Sequence, residues 1–60
     1  MNKTQRGHLE TIARKAKRPV ADVIEIWEER AAIREYDAGM NRRQAESEAM
    51  IDVAMEVLRA

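Results

Sequence analysis

The chain has sixty residues: eleven Lys and Arg against eleven Asp and Glu, one His, one Trp, one Tyr, no Phe and no Cys. That length suits a single domain, residues 1–60, with little core, since a domain of this size buries only about 60% of the surface its unfolded chain exposes. No disulfide can form, which fits the reducing cytoplasm of a bacterial host, and no apolar run approaches the ~20 residues of a membrane span or the core of a signal peptide.

The hydrophobic spacing predicts an all-α fold of three helices, the second and third long enough to form a helical hairpin. In the first helix, about residues 5–16, Leu9, Ile12, Ala13 and Ala16 recur at i, i+3, i+4 and i+7. Thr4 is its expected N-cap, Gly7 weakens its first turn, and Glu10 and Arg14 form an i, i+4 pair. Pro19 suits the first turn of a second helix, and the residue before a proline avoids helical geometry, so Lys17 and Arg18 form the break.

The second helix is expected over about residues 19–38, with Val20, Val23, Ile24, Trp27 and Ala31 on one face and Ile26 and Ile33 to one side. Trp27 is the expected centre of the core. Gly39 offers a left-handed stop, Asn41 an N-cap, and Gln44 the third residue of a capping box. The third helix, about residues 42–59, is apolar over most of its circumference; its strongly polar stripe is Glu48, Asp52 and Glu56. A helix apolar nearly all round is covered on several sides. Either its alanines face water, or Met50, Ile51, Met55 and Leu58 meet another chain, most simply in a symmetric homodimer.

Charge divides the chain. Residues 1–18 carry six cations against one carboxylate, a net +5, and residues 19–38 carry two cations against six carboxylates, a net −4. Either the two parts pack together and neutralise, or Arg14, Lys15, Lys17 and Arg18 are free to meet a phosphate or an acidic partner.

The stretch "IARKAKRPVADVIEI", residues 12–26, is similar to the helix-turn-helix of bacterial regulators and sigma-factor tail domains through Ile12, Ala13, Ala16, Pro19, Val23 and Ile26. It departs from that pattern at Ala16, where Leu is usual, at Lys17, where Gly is usual, and at Pro19, where Ser is usual. In that alignment Pro19, Val20, Ala21, Ile24, Glu25 and Glu28 would face the DNA groove. Bases are read mostly by Arg, Lys, Asn and Gln, and carboxylates are repelled by the duplex. The resemblance therefore implies a shape without a reading surface, and at most weak, sequence-insensitive phosphate contact by the basic first helix.

A second stretch, "ERAAIREYDAGMNRRQAE", residues 29–46, resembles a helical segment recurring in proteins of bacteriophages, prophages and plasmids, some of them replication or primase-helicase types. That resemblance implies a mobile-element origin and a helix-joint-helix unit. It brings no catalytic residue with it.

The residues of common active sites are sparse. His8 stands alone, and without Cys a zinc site would need several carboxylates around one imidazole. Gly7 and Gly39 make no phosphate loop. The hydroxyls Thr4, Thr11, Ser47 and Tyr36 show no sequence spacing to a histidine that suggests a nucleophile-base pair. Glu25, Glu28 and Glu29, like Glu48, Asp52 and Glu56, read as solvated acidic faces or as surfaces for a basic partner, including the basic head of a second copy. No catalytic, cofactor-binding or metal residue, cofactor, membrane contact or small-molecule substrate is expected. The expected function is a small non-enzymatic mobile-element protein acting through a protein partner or a homodimer. The alternative is a DNA-binding accessory or regulator using the basic first helix.

Overall fold

Asn2, not Thr4, opens the first helix in the computed structural model, which describes residues 1–59 and leaves Ala60 outside them. Its side-chain oxygen accepts the Gln5 backbone N–H at 2.7 Å, and the Gln5 side chain accepts the Asn2 N–H at 2.8 Å. This reciprocal capping box starts α1 (Lys3–Ala16) two residues earlier than the apolar spacing indicates, because a cap depends on local hydrogen bonding and not on periodicity. Along α1, Glu10 pairs with Arg6 at 3.2 Å and not with Arg14, whose guanidinium donates instead to the Thr11 hydroxyl at 3.4 Å.

The break falls where Pro19 puts it. Lys17 closes α1 in the left-handed conformation, φ 57° and ψ 44°, which a residue without glycine's freedom adopts at a cost. The Arg18 N–H reaches the Ala13 carbonyl at 3.0 Å and the Lys17 N–H that of Arg14 at 3.2 Å, the paired bonds of a Schellman cap. Pro19 is itself extended, with ψ 139°, so α2 (Val20–Tyr36) begins one residue later than expected. It also stops two residues short of Ala38. The Asp37 N–H still bonds Ile33, the Met40 N–H folds back to the Arg34 carbonyl at 3.2 Å, and Gly39 takes φ 69° between them. Asn41 then caps α3 (Arg42–Val57) by accepting the Gln44 N–H at 2.8 Å, one half of the expected box. Leu58 is the cap residue at the far end, so α3 stops two residues short of the expected residue 59.

The fold is an all-α three-helix domain in which α2 and α3 pack closely as a hairpin. Leu9, Ile12 and Ala13 of α1, Val23 and Trp27 of α2, and Ala45, Ala49 and Val53 of α3 are buried. The three α3 positions are spaced i, i+4 and i+8, one face of a helix. Ala45 and Ala49 thus point inward, not into water as one sequence reading allowed, and their small size lets α3 approach the indole of Trp27. The Trp27 Nε1–H donates to the Glu46 carbonyl at 3.1 Å, so the one polar atom of the ring is satisfied inside the core. Val20, Ile24, Ile26, Ala31, Met50, Ala54 and Val57 complete the cluster from its edges. The α1 helix runs in the same direction as α3: Gln5 donates to the Glu46 carboxylate at 3.0 Å near one end, and Ile12 and Ala54 line one groove towards the other.

Candidate contact surface

The charged stripe of α3 is not free. Arg34 of α2 grips Asp52 with two bonds, Nε at 2.6 Å and Nη2 at 2.8 Å, and lies 3.8 Å from Glu48. Arg30, one turn earlier, reaches Glu56 at 2.6 Å. The hydrogen-bonded Arg34 guanidinium holds the Asp52 carboxyl below the usual carboxylate range, partial burial opposing it and the charges of Arg34 and Arg30 adding to it. Both guanidiniums are held more firmly protonated than an isolated arginine, chiefly by these same hydrogen bonds. Glu48, Asp52 and Glu56 therefore clamp the hairpin shut and do not form a face waiting for a basic partner. Sequence spacing shows the stripe but not its partners, which lie on another helix.

The basic head has the opposite fate. Among the described residues, ion pairs lie within α1, within α3 or between α2 and α3, and none joins the head to the acidic body. Arg14, Lys15, Lys17 and Arg18 are exposed around the α1–α2 turn. On α2, Asp22, Glu25, Glu28 and Glu29 are exposed, whereas Val20 and Ile24 lean onto the core. Two of the positions that a DNA-reading helix would present are thus spent on packing, and the side chains left outside include the carboxylates Glu25 and Glu28.

The four α3 residues singled out from sequence are placed unequally. Met50 is half-buried against the core. Ile51, Met55 and Leu58 are 55%, 70% and 40% exposed, and their spacing of i, i+4 and i+7 puts them on one outward stripe. Beside that stripe a groove opens between α1 and α3, lined by His8, Thr11, Ile12, Met50, Ile51 and Ala54. It continues towards the helix starts past Thr4, Gln5, Arg43, Glu46 and Ser47. Sequence spacing flagged the α3 side of this surface. The α1 side went unflagged because His8 and Thr11 carry no apolar signal, and only the parallel packing of α1 on α3 brings them there.

Thr4 and Ser47 line the open end of this groove, and the Thr11 hydroxyl is used to donate to the Gly7 carbonyl at 3.0 Å. Among the described residues, no group of three or more His, Asp or Glu side chains is arranged to hold a metal ion, and no helix is long and apolar enough to cross a membrane. No protein-family model, curated protein or solved structure matches the chain.

Proposed function

We propose that this chain is a small non-enzymatic helical protein of phage or other mobile-element type that works through protein–protein contact. Its working surface is the outward stripe of α3 with the adjoining edge of α1. The observation that carries this reading is the exposure of Ile51, Met55 and Leu58 on one face of a helix whose other face already fills the core. Six apolar residues of α3, namely Ala45, Ala49, Met50, Val53, Ala54 and Val57, are used internally, and these three are not. Large apolar side chains grouped on one exposed face, as opposed to scattered singly, point to an interaction site. A symmetric pair of chains is the simplest form such a contact takes.

The test is a photo-crosslinking amino acid placed at Ile51 and, separately, at Glu29 on the acidic face of α2, in the living bacterial host. The Ile51 probe should give discrete protein adducts, with another protein or with a second copy, and the Glu29 probe should not. Adducts of equal strength at both positions, or none at Ile51, would contradict the proposal.

A second reading has one observation in its favour. Arg14, Lys15, Lys17 and Arg18 are exposed with no carboxylate partner among the described residues. An unneutralised basic turn can touch phosphates without reading bases. Duplex binding through it should be weak, indifferent to sequence and strongly reduced by salt, because counterion release supplies nearly all of it. Nanomolar preference for one sequence over its scrambled form would instead favour a regulator.

A further inference from the structure

We propose that the groove between α1 and α3 receives an acidic amphipathic helix of another protein; the proposal rests on the protein-contact reading and names the chemistry of the partner. Its middle is apolar: Ile12 forms the floor, Met50 and Ala54 one wall, and Ile51 the lip, with no carboxylate among the residues lining it. Two exposed cations, Arg43 and Lys15, lie beyond this apolar middle. Arg43 lines the end nearest the helix starts. On α1, Thr4, His8 and Thr11 line the groove at i, i+4 and i+7, and exposed Lys15 continues the same ridge one turn on. The carboxylate nearest the Arg43 end, Glu46, is already held by Gln5 and Arg42. From the level of Arg43 to that of Ala54 the groove runs about 17 Å, or three turns of a guest helix.

Apolar residues at i, i+3, i+4 and i+7 of such a guest would fill the middle, and acidic residues flanking them would meet Arg43 and Lys15. A second copy fits this groove less well. Symmetric pairing through it would bring Arg43 and Lys15 of each chain towards the same cations of the other, and like charges facing across an interface are costly. Of the exposed carboxylates, Asp22, Glu25, Glu28 and Glu29 lie on α2, the helix that takes no part in the groove, and Glu10 and Glu56 are paired with Arg6 and Arg30.

The experiment uses a fluorescent synthetic helix of about 14 residues, roughly 21 Å long, with Leu at the four anchor positions and Glu elsewhere, beside a counterpart with Lys for Glu. Binding is read by anisotropy and the mass of each mixture by sedimentation. The full chain should bind the Glu probe as one chain to one probe, and the Lys probe at least about tenfold more weakly, as opposite-sign recognition requires. Ile51→Asp should abolish binding while keeping its helicity. The double change Lys15→Glu with Arg43→Glu should reverse the preference between probes, and Glu29→Lys should leave it unchanged. Equal binding of both probes, no binding of the Glu probe, or an unreversed preference overturns the proposal. Displacement of the Glu probe by duplex DNA overturns it in favour of nucleic acid. A chain that pairs with itself and excludes the probe overturns it in favour of a second copy and leaves the protein-contact reading standing. That reading falls separately, if the Ile51 photo-crosslinker finds no protein in the host.

Discussion

Trp27 sits in one cluster with Leu9, Ile12, Val23, Ala49 and Val53, and its indole N–H ties α2 to the backbone of α3. Removing a ring of that size from a core costs about 3–5 kcal/mol. A domain of this length holds only about 3–9 kcal/mol in total, at 0.05–0.15 kcal/mol per residue. Trp27→Ala should therefore lose most of its helical circular dichroism near room temperature, and near-native helicity and melting would contradict the core as described. Gly7 gives the opposite prediction. It lies inside α1, and a Cβ built there meets nothing within 4 Å. Gly7→Ala should stabilise the chain by about 1 kcal/mol, the helix-propensity difference. A raised melting temperature checks it. Both residues were legible in the sequence, Trp27 from its place in the apolar spacing and Gly7 from composition. Asn2 was not, because a capping box between Asn2 and Gln5 offers no periodic signal.

At the scale of elements, the hairpin is held by its core and by a clamp between two charged rows. Arg34 meets Asp52 and Arg30 meets Glu56, so a step of four back along α2 matches a step of four forward along α3. That is the register of antiparallel neighbours. The sequence shows both rows, Arg30 and Arg34 on one helix and Glu48, Asp52 and Glu56 on the other. Their pairing depends on how α2 is rotated against α3, which the Trp27 and Ala49 packing sets, and no local spacing carries that information. Because Asp52 is held below the ordinary carboxylate range, the folded state takes up its proton at lower pH than the unfolded chain does. Its contribution is present above the unfolded value of about 3.9 and is lost as pH falls through the lower folded value. Wild type should lose melting temperature in acid more steeply than Asp52→Asn, which should melt a few degrees lower near neutral pH. Parallel acid profiles for the two would show that the clamp contributes nothing.

Across the whole molecule, charge is distributed by helix. Asp22, Glu25, Glu28 and Glu29 of α2 are exposed, Asp52 and Glu56 of α3 are drawn into the hairpin seam, and the head keeps its unpaired cations around the α1–α2 turn. The three-helix outline and the excess of apolar surface on α3 were visible in the spacing of residues 42–59. Which of those residues the fold itself consumes was not, because it depends on where α1 lies. Met50 is half-buried against the core, and Ile51, Met55 and Leu58 are outside it. One face of α3 fills the core, and Ile51, Met55 and Leu58 stand outside it. The most direct test is thermal unfolding of two matched variants, Ile51→Asp and Val53→Asp. Val53 is fully buried, and an unpaired carboxylate there should unfold the chain. Ile51 is more than half exposed, and the same change should cost about 0.5 kcal/mol or less, as exposed substitutions do. A native-like melt for Ile51→Asp beside an unfolded Val53→Asp is the predicted result; equal losses in the two would contradict the claim.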